Sequence, residues 1–361
     1  MKIENVVING RTIGASERPY VVAELSGNHN QSLERALALI DAAADHGADA
    51  VKLQTYTADT MTLNTQAEGF VITNPDSLWA GRSLYDLYDE AHTPWAWHKA
   101  LFDRAAERGI TIFSSPFDAT AVDFLEELGA PCYKIASFEC TDLPLVRKVA
   151  ATGKPLIIST GMATVSEIEA TVNAARDAGC NDLILLKCTS TYPAKADNTN
   201  IRTIPHMREL FGCQVGLSDH TMGNGVAVAA VALGAVFVEK HFTLDRDDGG
   251  VDSTFSMEPD ELRRLKDDTE SAWMAMGQVS YGASQAEKAS KQFRRSVYVA
   301  KDIKRGEKFT EENLRTIRPG YGLPPAALED LLKCRAARDI SAATPMSWDL
   351  VGERESGNDN S

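Results

Sequence analysis

The chain has 361 residues, 43% of them hydrophobic and 24% charged, with a formal net charge of -14. This is the composition of a soluble globular protein, longer than the usual domain of about 100–200 residues but compatible with an α/β barrel of about 250 plus a smaller unit. The acidic balance argues against nucleic acid as a partner. No apolar run approaches the roughly 20 residues of a membrane span, and the start, MKIENVVING, lacks the apolar core of a signal peptide, so cytoplasmic residence is the expectation.

From Pro19 to about Gly277, short apolar runs alternate with amphipathic segments. The predicted strands are YVVAEL (20–25), AVKLQ (50–54), ITIFSS (110–115), CYKIAS (132–137), PLIIST (155–160), LILLKC (183–188), QVGLSD (214–219) and VFVEKHF (236–242). Stretches such as LERALALIDAAADHG and VSEIEATVNAARDAG lie between them, with apolar residues at helical spacing and a closing glycine. Eight such repeats over residues 1–279 predict a (β/α)8 TIM barrel. A doubly wound open sheet would also alternate, but AELSGNHNQS is no glycine-rich nucleotide turn.

A barrel of this kind concentrates function at the C-terminal ends of its strands. Polar residues collect there: Glu24, Lys52, Gln54, Ser114, Ser115, Lys134, Ser137, Ser159, Thr160, Lys187, Ser218, His220, Glu239 and His241. The long insertion from Thr55 to Thr93 is rich in aromatics, which either pack over the outside of the barrel or wall its mouth.

Residues 280–293 are polar and predict a linker, and 294–352 alternate like short strands with turns at Lys304–Gly306 and Pro319–Gly322. This small second domain would bury only a thin core alone. Residues 353–361 lack pattern and predict a disordered tail. Between Ala286 and Gly352 there are 13 Lys/Arg against 9 Asp/Glu, so a basic C-terminal piece stands beside an acidic body. The six cysteines are scattered without a CxxC pair and predict reduced packing thiols.

His220 and His241 end successive strands, about 4.8 Å apart if neighbours in a parallel sheet, where both rings can converge on one ion. Either alone is an ordinary strand-end histidine; the pair at equivalent positions points to metal ligands. Lys52 and Lys134 sit at apolar strand ends and need partners. Ringed by Ser115, Ser137, Ser159 and Ser218, they suit an anion carrying both phosphate and carboxylate. One buried lysine, Lys134, could instead form a Schiff base. Glu24 and Glu139 are the carboxylates placed to move protons or to balance the lysines.

The motifs AELSGNHNQS, KLQTYT, SSPFD, YKIASFE, ISTGM, LKCTSTYP, GLSDHT, EKHF and DSTFS, in this order, resemble the sialic acid synthase family, and RRSVYVAKDI and LRTIRPGYGL resemble its C-terminal antifreeze-like (SAF) domain. The resemblance spans about residues 5 to 350. It implies a manganese- or magnesium-dependent condensation of phosphoenolpyruvate with the open-chain aldehyde of an N-acetylated amino sugar. The products are a nine-carbon 2-keto acid and phosphate. The family's metal ligands fall on His220 and His241, and its phosphoenolpyruvate contacts on Lys52, Ser115, Lys134, Ser137, Ser159 and Ser218. Its acid/base and sugar-contacting groups fall on Glu24, Gln54, Glu139, Tyr192 and Asp252. The resemblance also implies a domain-swapped homodimer in which Arg318 of one chain reaches the active site of the other.

Lys187 and Ser190 replace a histidine and an asparagine of the sialic acid branch, and Ser253 also departs from that branch. In that branch the asparagine touches the sugar's amide, so its loss argues against N-acetylmannosamine, and the resemblance within the family implies a 6-deoxy diacetamido sugar. Phe255 or the aromatics of the insertion are the candidates to meet its methyl group. A synthase of N-acetylneuraminate or legionaminate is the same-chemistry alternative. A Schiff-base aldolase acting through Lys134 and a non-catalytic carbohydrate-binding protein are alternatives of other classes.

Overall fold

The computed structural model describes residues 3–75 and 77–354. The chain divides into two compact units between Gly277 and Gln278. The first opens with a hairpin, β1 (Val6–Ile8) and β2 (Arg11–Ile13). Eight strands follow: β3 (Tyr20–Glu24), β4 (Ala50–Thr55), β5 (Thr111–Pro116), β6 (Tyr133–Ile135), β7 (Leu156–Ser159), β8 (Leu183–Cys188), β9 (Gln214–Asp219) and β10 (Phe237–His241). All pair in parallel and in chain order, and β10 closes on β3. The expected TIM barrel is therefore present.

Each barrel strand is covered on both faces, which is why it reads as a continuous apolar run. Outside, helices bury one stripe each. Leu33–Asp45 turns Ala36, Leu39, Ile40 and Ala43 inward, and Ser32 caps it by accepting from the Arg35 amide. Val165–Asp177 starts with a capping box between Thr164 and Glu167. Inside, Val22, Ala50, Phe113, Ile157, Ile184, Leu186 and Phe237 form an apolar layer with Val6, Ile8 and Ile13 of the hairpin. The hairpin turns at Asn9–Gly10, both at positive φ (47° and 81°), as a two-residue hairpin turn of this sequence requires. With this end packed by hydrocarbon, polar side chains inside the barrel are left to the opposite layer.

Register brings that layer level. Glu24 pairs with Lys52 on one side and His241 on the other, Gln54 with Ser115, and Ser218 with Glu239. Among the described residues no helix is long and apolar enough to cross a membrane. All six cysteines are buried and free.

In the second unit, β11 (Ser296–Val299) pairs with β12 (Leu314–Ile317), and β13 (Cys334–Ala336) with β14 (Val351–Arg354), all antiparallel. Val297, Val299, Phe309, Leu314 and Leu331 anchor its small core. Residues 280–293, expected as a linker, fall within this unit and carry one short turn of helix, Ala289–Phe293. β14 extends to Arg354, two residues into the stretch expected to be a tail; residues 355–361 lie outside the described residues.

Candidate active site

The C-terminal mouth of the barrel holds a cavity of about 450 Å³, the size of a small-molecule site. Of the residues singled out from sequence, Lys52, Gln54, Ser115, Lys134, Ser137, Glu139, Ser190, Tyr192, Ser218, His220, His241 and Asp252 line it. Glu24 lies just beneath, bound to two of them. Ser159 is fully buried at the end of β7, with its Oγ unpartnered among the described residues, and does not line the cavity. Arg318 is exposed in the second unit, after β12.

The floor is a ladder of buried charges. Glu24 Oε2 is 2.5 Å from Lys52 Nζ, which is 3.5 Å from Glu239 Oε1; that oxygen is 3.2 Å from Lys134 Nζ. Lys52 also donates to Ser115 Oγ at 3.3 Å, Ser218 Oγ donates to Glu239 at 3.4 Å, and the Gln54 amide donates to Glu24 at 2.9 Å. Burial alone would lower the Lys52 pKa, but Glu239 and Glu24 outweigh it and raise it. Burial alone would push the Glu239 carboxyl up, but Lys134 and Lys52 outweigh it and hold it below the ordinary range. Glu239 is the functional candidate that sequence reasoning left unassigned. Its signal was its place one strand step before His241.

To one side stand the two imidazoles, both buried, with ring centroids 5.3 Å apart. His220 Nδ1 contacts the Thr189 carbonyl at 2.9 Å. A carbonyl only accepts, so Nδ1 carries a proton; the Cys188 side chain also hydrogen-bonds the ring and, against burial, raises the His220 pKa. His241 Nδ1 is buried with no hydrogen-bond partner among the described residues. Burial, with His220 and the lysines adding to it, holds the His241 pKa well below its ordinary value and keeps the ring neutral. Asp252, held by Ser26 Oγ, has its Oδ2 3.7 Å from His241 Nδ1. Tyr192 packs on His220 with centroids 4.5 Å apart. Phe255, one candidate for the sugar's methyl, does not line the cavity; it is buried behind His241, centroids 4.9 Å apart, and braces that ring.

On the other side, Glu139 sits in the turn after β6, its Oε2 buried and without a hydrogen-bond partner among the described residues. Burial raises its pKa, with Lys134 acting in the opposite sense. Ser190 Oγ donates to Ser137 Oγ at 2.9 Å. The loop after β7 can pass this pair because Gly161 has no side chain; a Cβ there would stand 2.6 Å from Ser137 Cβ.

The insertion closes the mouth. Met61, Ile72, Trp79, Leu84, Leu87 and Tyr88 face the cavity, which decides between the two uses considered for it.

The NeuB family matches residues 39–281, and the SAF domain matches residues 294–352. The chain belongs to the NeuB family. It is 44% identical to the pseudaminic acid synthase of Campylobacter jejuni subsp. jejuni serotype O:2, across 90% of this chain and 94% of that one. It is 41% identical to the pseudaminic acid synthase of Helicobacter pylori, across 92% and 98%. Among solved structures it resembles the N-acetylneuraminic acid synthetase of Leptospira borgpetersenii at a TM-score of 0.72 and 29% identity, covering 80% of this chain and 95% of that one.

NeuB chemistry, as the sequence resemblance implies it, calls for a divalent ion, and the residues fit one. The buried rings of His220 and His241 share one side of the cavity with Cys188, and His241 Nδ1 has no hydrogen-bond partner among the described residues. Among the described residues no group of three or more His, Cys, Asp or Glu could hold a metal alone. The pair suits an ion that takes its other ligands from substrate oxygens and water.

Proposed function

We propose that this chain is a pseudaminic acid synthase, condensing phosphoenolpyruvate with 2,4-diacetamido-2,4,6-trideoxy-altrose to give pseudaminic acid and phosphate. The observation that carries this reading is the convergence of Lys52 and Lys134 on one carboxylate oxygen inside a cavity that both histidines also line. The two relatives above, named for this activity and aligned over nine-tenths of the chain, support the choice of sugar.

Lys52 and Lys134, with Ser115, Ser137 and Ser218, hold the phosphate and carboxylate of the donor. Two ammonium groups balance its charge and hydroxyls fill its remaining lone pairs. A divalent ion (manganese or magnesium) on His220 and His241 would supply Lewis-acid polarisation of the sugar carbonyl. Gln54, Tyr192, Ser190 and Asp252 orient the sugar, with Glu24 holding Gln54 and Lys52. Donor carbon 3 bonds to the aldehyde carbon, whose oxygen gains a proton. The cation left at carbon 2 is captured by water, and Glu139 takes that water's proton. The hemiketal phosphate then expels phosphate by cleavage of the carbon–oxygen bond.

The partner in this reading is a second copy of the chain, whose Arg318 completes the site; the excess positive charge of the SAF piece supports it. The Schiff-base alternative needs a free amine at Lys134, which instead sits in an ion pair.

The test is phosphate release from phosphoenolpyruvate across a panel of amino sugars, with and without chelator. The trideoxy-altrose should be fastest and chelation should stop release. Faster release with N-acetylmannosamine or the manno isomer would move the assignment to a sialic or legionaminic acid synthase. Borohydride trapping of pyruvate on Lys134, with indifference to EDTA, would replace the mechanism.

A further inference from the structure

The polar groups of the cavity occupy its floor, and its outer wall is built differently. Segments 56–72 and 79–91 present Tyr56, Met61, Ile72, Trp79, Leu84, Leu87, Tyr88 and Ala91 to it; none carries a charge, and the only hydroxyls in these segments that line it are the phenols of Tyr56 and Tyr88. The indole N–H is already used, since Trp79 Nε1 donates to the Val251 carbonyl at 3.0 Å. The wall is also fastened in place. Val71 bridges to Ser83 across the insertion, and the Gln31 amide donates to the carbonyls of Glu90 and His92, each at 2.8 Å. Side chains held this way present a fixed surface rather than one that adapts to its ligand.

We infer that this wall is the sugar-selecting element, and that it selects a sugar whose outer end is apolar, a deoxy carbon and N-acyl methyl groups, over one ending in a hydroxymethyl group. The inference rests on the synthase reading above and deepens it. With the donor on the lysines and the carbonyl end beside the histidines, the remaining carbons of the sugar run outward to the wall. A terminal hydroxyl there would lose its water to Ile72, Leu84 and Leu87, which offer no hydrogen bond, whereas a methyl group gains by burial. An apolar surface rejects an added hydroxyl only moderately, so the expected preference in kcat/KM is about 10- to 100-fold.

The experiment compares 2,4-diacetamido-2,4,6-trideoxy-altrose with its 6-hydroxy counterpart in the full-length protein. Leu84→Gln, which gives the wall a donor and an acceptor, should narrow the preference by about fivefold or more and leave KM for phosphoenolpyruvate unchanged. Leu84→Met should keep the preference. Ile72→Asn, on the other segment, makes the same test should Leu84→Gln fail to fold. An unchanged sugar ratio in the folded polar variant, with the trideoxy sugar still turned over, overturns the inference while the synthase reading stands. If the unaltered protein accepts N-acetylmannosamine and not the trideoxy sugar, both fall together.

Discussion

Lys134 Nζ lies 3.2 Å from Glu239 Oε1 at the centre of the barrel mouth, and the same oxygen is 3.5 Å from Lys52 Nζ. All three side chains are almost completely buried. Glu239 therefore occupies, between two ammonium groups, the position an anionic donor would be expected to share. Removing one member of a buried ion pair leaves an uncompensated charge, which costs about 3–5 kcal/mol.

Glu239→Gln is accordingly expected to lower the midpoint of the barrel's thermal transition by about 6–15 °C. Phosphoenolpyruvate should recover part of that loss, because its charge replaces the missing one. Calorimetry with and without the donor measures both. An equal ligand-induced rise in variant and unaltered protein would show that the carboxylate does not stand in for the donor.

Glu139 differs from Glu239 in its pKa, which is raised by burial and only partly offset by Lys134, whereas the lysines hold that of Glu239 down. As the base that takes the water proton, it must be ionised to act, so activity should rise with pH through a limb above the ordinary glutamate value of about 4.3. Glu139→Gln should remove that limb. It should also cut kcat by about 100-fold or more while KM for phosphoenolpyruvate stays within about threefold. Equal losses in both parameters would assign Glu139 to donor binding. In stability the same raised pKa acts in the opposite sense to activity: its contribution is fully present below the unfolded pKa and is lost as pH rises through the folded one.

His98 links the end of the insertion to the barrel. Its Nε2 is 2.8 Å from Thr55 Oγ1, which is 2.6 Å from Ser114 Oγ, while Nδ1 faces the Pro94 carbonyl at 3.3 Å. Burial pushes its pKa from 6.5 down to about 4. The folded state therefore holds the ring neutral, and the unfolded chain takes up the proton first. The stability involved is present above pH 6.5 and disappears as pH falls towards 4, amounting to about 2 kcal/mol between pH 7 and pH 5. Denaturant titrations at the two pH values check this. Unfolding free energy should lose about 2 kcal/mol less across that interval in His98→Gln than in the unaltered protein, and an identical pH dependence would contradict it.

The barrel was legible because every strand is covered on both faces, so each appears as an apolar run between helical patterns, and both LILLKC and QVGLSD begin and end where β8 and β9 do. The site was legible because a strand end turned into a polar mouth interrupts that pattern, as Lys52 and His241 do. Glu239 was harder to assign. Its importance comes from cross-strand register, which sets it opposite Ser218 and within reach of lysines more than 100 residues away, and no local pattern carries that relation. The β1–β2 hairpin did have a local signal, Asn9–Gly10 between VVI and RTI, which gives no hint of what it packs against. The direction of the insertion depends on single tertiary contacts such as Trp79 to Val251, and both uses of its aromatics were compatible with the sequence.

Arg318 belongs to the second unit, and its proposed task in a partner's site can be tested without seeing the dimer. Arg318→Ala and His241→Ala should each abolish most activity when expressed alone. In a domain-swapped dimer made by co-expressing the two variants, one of the two sites receives an intact histidine pair from one chain and an intact arginine from the other. With random pairing half the dimers are mixed, so about a quarter of the unaltered activity should return. If Arg318 instead served its own chain's site, every site in the mixture would lack one group and no activity would return. Sedimentation must show a dimer in the same samples, and a monomer with full activity would remove the partner from the mechanism.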